Sequence, residues 1–414
     1  MIVIPSIYFT GLAAFFYYRH RCWGMDIAAT SLLIAISLFA IMIDVNDIYG
    51  QYGINEESIT LPTLVLFCLQ WTLILLPIHH LSSLPIEPHL PVKKPMLYGL
   101  MIVVAVSSII IIASKMSDIR EALVMDMIDV KHEHYKDLMM GRGGESSIWL
   151  LIPTIIVTTP FPTLALFLWF YTKTFTKAPF LLRIGILIAS IVQAITAIII
   201  AGRSAIVYWV FDFYLLYSLF YRYLSTTAKR SINAAATIMV VLIGTLFMSI
   251  TISRFDELGS KSSPFDSFYG YAGQHVNNFC TMFVYGGETD FLPDRIFPFT
   301  SRLMGHPYDL FEHYESLTKG TNVMVNVFDT FGGEIYLDLG WIGYILFFLA
   351  WMALTFYLKN NWQEIPLYRV FPVVIMIAFF TRGLFAWPFT GHVTTIALTM
   401  VLSFSYFFRY VFKI

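Results

Sequence analysis

Long apolar runs separated by polar turns set the pattern of the chain. Crossing a bilayer core takes about 20 apolar residues in a helix. Eleven runs approach that length, at about residues 1–18, 27–46, 60–80, 96–114, 147–171, 180–200, 204–221, 232–252, 333–357, 370–389 and 393–410. Pro160 and Pro162 interrupt the fifth, where a kink is expected. The pattern predicts an all-α polytopic bundle of about eleven membrane helices, with two long polar segments set into it.

The first polar segment covers about 115–146. Asp118 and Glu121 have capping-box spacing, and Ile119, Leu123, Met127, Val130 and His134 recur at intervals of three and four. An amphipathic helix lying on the membrane face is expected there. The second covers about 253–332 and is too long to be structureless. Leu310, Phe311, Tyr314 and Leu317 make one apolar stripe over 308–318, with Glu312 and Glu315 facing away, and a further helix is expected over 274–285. The chain thus divides into 1–252 (eight spans), a cap at 253–332, and 333–414 (three spans).

Composition agrees with this division. Hydrophobic residues make up 57% of the chain and charged residues 13%, with a mean hydropathy of +0.70. Soluble domains carry about 25% charged residues. The net charge of -1 is less informative than its distribution. One set of loops carries Arg19 and Arg21; Lys93 and Lys94; Lys173, Lys177 and Arg183; Arg222, Lys229 and Arg230; Lys359 and Arg369; Arg409 and Lys413. The alternate set holds most of the acids. The positive-inside rule then puts the N-terminus and both long segments outside, and the C-terminus in the cytoplasm. The first run reads as a retained span. Cys22, Cys68 and Cys280 sit at different expected depths, so no disulfide framework is expected. The sequence contains no P-loop and no dinucleotide fingerprint, so energy must come from the substrate or an ion gradient.

The candidate chemistry lies at the outer ends of the helices. Arg203 occupies a short external turn, Arg254 follows the eighth span, and Arg382 sits near the outer end of the tenth, all at similar expected depth. Arg295 and Arg302 in the cap are within reach of the same level. A guanidinium fork suits phosphate or pyrophosphate, because it gives parallel charge-assisted hydrogen bonds. The alternative is snorkelling to lipid headgroups or pairing with nearby acids. Glu334 and Asp338 lie one turn apart on one face at the start of the ninth span; Asp338 is either a functional acid, or it caps a helix or holds an arginine structurally. Gly340 and Gly343 are compatible with close helix packing. Asp212 reads as a buried structural acid. His275, His306 and His313 are cap imidazoles able to act as bases. Tyr269 and Tyr271, with Phe265 and Phe268, either stack on sugar faces or pack the cap. No spacing of a metal site or cofactor is apparent.

Gly202-Arg203-Ser204 in a short external turn, Thr321-Asn322-Val323, and Tyr336 through Gly343 at the exit of a long external loop resemble the Wzy-type O-antigen polymerases. Leu339 stands where that family commonly has an aromatic. The arginine–ten residues–glycine pattern of some members is absent from both long loops.

The resemblance implies a GT-C-type glycosyltransferase of the bacterial inner membrane, working on the periplasmic face. It would join undecaprenyl-pyrophosphate-linked oligosaccharide donors and acceptors without a cofactor or nucleic acid, with a chain-length regulator as a potential partner. It would give Arg203, Arg382, Arg254 and Arg302 the pyrophosphate, Asp338, Glu334 and His306 the role of base, and Tyr269, Tyr271 and Asn322 the sugars. An O-antigen ligase of similar architecture is the nearest alternative. A lipid-linked sugar transporter or flippase is the alternative from another class.

Overall fold

The computed structural model describes residues 1–52, 54–86, 94–124, 148–176, 178–200, 202–257, 264–286, 296–297, 304–305, 318, 328, 330–365, 370–389 and 392–411. Among them the chain is helical, with one isolated bridge between Ile86 and Ile365. The helices are α1 (Ile4–His20), α2 (Met25–Val45), α3 (Leu61–Ser83), α4 (Lys94–Ser114), α5 (Met116–Val124), α6 (Leu151–Val157), α7 (Phe161–Thr174), α8 (Phe180–Thr196), α9 (Ser204–Phe220), α10 (Thr226–Glu257), α11 (Pro264–Tyr285), α12 (Thr330–Asn361), α13 (Val370–Gly383) and α14 (His392–Val411).

Every apolar run corresponds to a helix or, for the fifth, to the pair α6 and α7, bent by 62° where Pro160 and Pro162 lie. By length and apolar composition, six described helices can cross a membrane, or seven with the bent pair counted as one span. The protein is therefore a multi-pass helical membrane protein.

In the first polar segment the described helix is α5. It buries Ile119 and Ala122 and exposes Arg120 and Glu121. It begins at Met116, so Asp118 lies inside its first turn rather than at the cap. There its carboxylate accepts bonds from Ser117 Oγ at 3.0 Å and Lys115 Nζ at 3.4 Å. The rest of that segment, including Met127, Val130 and His134, lies outside the described residues. So does the stripe at 308–318, apart from Thr318. The helix expected over 274–285 is present and longer, starting at Pro264.

The chain divides into two compact units. The first comprises Met1–Glu87, Phe265–Pro366 and Met376–Thr395. Its core is aromatic: the Trp71 ring meets Phe331 at 5.3 Å and Phe380 at 5.5 Å, and Phe67 meets Phe279 at 5.5 Å. Edge-to-face pairs of this kind add about 0.5–1.5 kcal/mol each beyond their area. Helix α3 enters through a capping box of Thr60 and Thr63, which satisfies amide groups that the first turn would otherwise leave open. The second unit comprises Pro88–Pro264, Leu367–Ile375 and Ile396–Ile414. Helices α4, α7, α8 and α9 pack together in it, with Phe167, Phe170 and Phe220 at the core. An apolar cavity of about 210 Å³ in this unit is lined by Trp169, Lys173, Trp209, Phe213 and Met239 among others, and none of the candidate site residues faces it.

Candidate functional site

The densest buried polar chemistry lies in the first unit, where α3, α11, α12 and the end of α13 meet. Helix α11 shows why. Residues 273–283 are all buried, so this part of the helix has no solvent face. Val276, Phe279, Cys280, Met282 and Phe283 supply the apolar contacts, while Gln274, His275, Asn277, Asn278 and Thr281 present polar groups to the interior. A helix buried all round normally has no such stripe. Close approach is allowed by Gly273, where a Cβ would lie 2.4 Å from the Phe39 carbonyl carbon of α2.

Some of these polar groups are tied down. The Asn278 amide donates to the Phe328 carbonyl at 3.1 Å and to Gln274 Oε1 at 3.3 Å. Thr281 bonds Ser58 across to the entry of α3 at 3.0 Å. Others are not. Neither ring nitrogen of His275, neither amide atom of Asn277, nor Thr330 Oγ1 or Gln70 Nε2 has a hydrogen-bond partner among the described residues. Each such group costs about 1–3 kcal/mol relative to hydration. A concentration of them marks a place suited to ordered water or a polar ligand. Burial pushes the His275 imidazole down to about 3. It is therefore neutral at physiological pH, held between the Phe385 ring at 4.4 Å and Phe328 at 5.4 Å.

The second wall is the first part of α12. Residues 330–338 are buried without exception, whereas Trp341 and Ile342 are exposed. The change occurs at Gly340, with φ 59° and ψ -163°, where the helix breaks. That conformation is open essentially only to glycine. At Gly343, a Cβ would lie 2.1 Å from Leu339 Cβ, so this second glycine lets the chain fold past the break. Both glycines thus serve the break itself. Glu334 and Asp338 are each 3% exposed on the buried part. Asp338 Oδ2 accepts from the Ile296 amide at 2.8 Å, fixing that point of the polar segment to α12. At Gly332 a Cβ would lie 2.0 Å from Gln70 Oε1, which accepts from the Tyr344 hydroxyl at 3.2 Å.

Arg382 closes the cluster. It lies in the last turn of α13, 5% exposed, where the helix dipole favours a cation, and Nη1 donates to Thr381 Oγ1 at 3.2 Å. The chain around it is held to the start of α12. The Thr330 amide donates to the Phe385 carbonyl at 3.3 Å, and a Cβ on Gly383 would lie 3.3 Å from the Phe331 ring.

Of the residues the sequence singled out, Glu334, Asp338, Arg382, Tyr269 and Tyr271 share the first unit. Tyr271 packs edge-on to Phe328 at 5.2 Å, and Tyr269 stacks on Phe39 at 6.3 Å. Arg203 and Arg254 belong to the second unit. Arg203 is half-buried at the N-cap of α9, and the Gly202 amide bonds the Ala197 carbonyl at 2.8 Å to close the turn. Arg254 lies within the last turn of α10, because that helix runs on to Glu257. Its side chain is outside the description, as are Arg295, Arg302, His306, His313 and Asn322. Asp212 is 2% exposed and accepts from Thr163 Oγ1 at 2.6 Å, consistent with a structural acid. All three cysteines are free, yet Cys68 and Cys280 lie near one another rather than at separate depths.

Sequence reasoning overlooked Gln70, Gln274, Asn277, Asn278 and Thr330. The signal was available in part. Positions 274, 277, 278 and 281 follow helical spacing, a polar stripe on a helix that is otherwise apolar. No protein-family model, no characterised protein and no solved structure matches the chain.

Proposed function

We propose that the chain is a membrane glycosyltransferase that polymerises polyprenyl-pyrophosphate-linked oligosaccharide repeats on the outer face of a bacterial inner membrane. All eleven apolar runs then cross the bilayer in a GT-C-type arrangement, with the N-terminus outside and the C-terminus in the cytoplasm. The observation that carries this reading is the pair of buried carboxylates, Glu334 and Asp338, on a glycine-broken helix in the same unit as the buried Arg382. An ionisable residue within a membrane bundle is costly and marks function more often than packing. The Gly202-Arg203-Ser204 turn and the Tyr336–Gly343 stretch add the resemblance to Wzy-type polymerases.

In this mechanism Glu334 or Asp338 accepts the proton of the acceptor hydroxyl. The hydroxyl oxygen attacks the anomeric carbon of the donor, and the bond to the lipid pyrophosphate breaks. Arg382 stabilises the charge gathering on the departing pyrophosphate. A lone displacement inverts the anomeric centre. Asp338 already holds the Ile296 amide, which favours Glu334 as the base and Asp338 as the group that fixes the cap segment. The amides and imidazole of Asn277, Gln70 and His275 supply hydrogen bonds for sugar hydroxyls.

Deletion of the gene in its host tests the reading. Lipopolysaccharide capped by a single repeat is the expected result, restored to long chains by the wild-type gene and not by Glu334→Gln. Complete loss of attached glycan would point to the ligase instead, and an unchanged profile would refute both.

A further inference from the structure

Three side chains from three helices of the first unit converge. His20 ends α1, Asp26 opens α2, and His79 lies in the last turns of α3. His79 Nδ1 is 2.7 Å from Asp26 Oδ2, His20 Nε2 is 3.3 Å from His79 Nδ1, and His20 Nε2 is 3.5 Å from Asp26 Oδ2. Asp26 is fully buried, and the two imidazoles are 21% and 19% exposed. We propose that this triad is a binding site for a divalent first-row transition metal, with zinc the expected occupant.

Ligand atoms about 2.0–2.1 Å from a tetrahedral zinc lie roughly 3.3 Å from one another. The three observed edges bracket that value. A circle through the three atoms has a radius of about 1.9 Å, so a cation with bonds of about 2.05 Å would sit about 0.9 Å out of their plane without moving any of them. A proton does the job less well. Shared between His79 and Asp26, it serves one edge of the triangle and leaves two long ones. A cation serves all three atoms together, and an N2O donor set suits zinc and its neighbours.

The surroundings are those of a built site. Asp26 Oδ1, the oxygen turned away from the triangle, accepts from Ser82 Oγ at 2.9 Å and from the Ile27 amide at 3.0 Å, which fixes the carboxylate. The His79 ring stacks on Phe16 at 4.4 Å and 19°, which fixes its plane. Gly24 is required for the approach: a Cβ there would lie 2.4 Å from Ser82 Oγ and 2.7 Å from Asp26 Oδ1. The partial exposure of both imidazoles leaves water as the fourth ligand. Bound metal would clamp α1, α2 and α3 at one end. The site is independent of the proposed glycosyl transfer.

Full-length protein purified in detergent without a histidine tag, stripped by chelator and titrated with Co2+, provides the test. One Co2+ per chain, with the visible absorption of a four-coordinate ion that added Zn2+ displaces, is expected. Asp26→Asn and His79→Gln should abolish that absorption, and Ser82→Ala should weaken binding by roughly 10–100-fold. Wild-type protein that gives no such absorption overturns the proposal, whatever the variants do. So does absorption that both ligand variants retain while eluting as monodisperse protein.

Discussion

Replacing Gly340 with alanine asks whether the helix carrying the two acids is broken or straight, because the two cases differ in sign. In a straight helix, glycine is worse than alanine by about 0.5–1 kcal/mol, so the substitution would stabilise the protein. At φ 59° and ψ -163° an alanine occupies a region that costs about 1–3 kcal/mol. Gly340→Ala is therefore expected to destabilise the protein by about 1–3 kcal/mol. Gly11, within α1 of the same unit, supplies the control. A Cβ there meets nothing within 4 Å, so Gly11→Ala should gain a few tenths to about 1 kcal/mol. Reversible denaturation of both variants in the same detergent, followed by tryptophan fluorescence, measures the difference. Equal gains in both variants would show that α12 passes straight through residue 340, and the buried acids would lose their distinctive setting.

Two further changes probe the walls of the same cluster. Gly332→Ala forces the Gln70 side chain away and breaks its bond to Tyr344, at an expected cost of about 1–3 kcal/mol. Adding Gln70→Ala should recover part of that loss in a double-mutant cycle, and simple additivity would contradict the contact. His275 predicts acid sensitivity. Its folded pKa of about 3 lies below the ordinary 6.5, so the unfolded chain binds the proton more readily. The stability it confers is complete above about pH 6.5 and is lost as pH falls toward 3, amounting to about 2 kcal/mol between pH 7 and pH 5. His275→Phe keeps a ring against Phe385 and should flatten that part of the profile; an unchanged pH dependence would refute the assignment.

The helical architecture was legible because apolar runs near bilayer length allow few other structures, and the proline pair in the fifth run gave the bend. The acids at 334 and 338 stood out because charge is rare in such runs. The break was not legible. Gly340 and Gly343 fit a close-packed straight helix as well as a broken one, and only the backbone angle at 340 separates them. Depth along the membrane grouped Arg203, Arg254 and Arg382 together, yet depth says nothing of lateral position. Arg382 belongs to one compact unit and the other two arginines to the second. The histidine–aspartate triad was invisible for a different reason. His79 lies 53 residues from Asp26 and 59 from His20, beyond any local spacing rule.

Polymerisation by the purified protein decides whether the chain is a glycosyltransferase of this kind. Wild-type protein in liposomes, given a polyprenyl-pyrophosphate-linked repeat from its own host, should yield a ladder of extended lipid-linked chains on a gel. Glu334→Gln and Arg382→Lys, each shown to elute and melt like the wild type, should slow extension by roughly 100-fold or more, as loss of a charge-stabilising or proton-accepting group does. A wild-type protein that extends nothing, or variants that extend at the wild-type rate, would contradict the account.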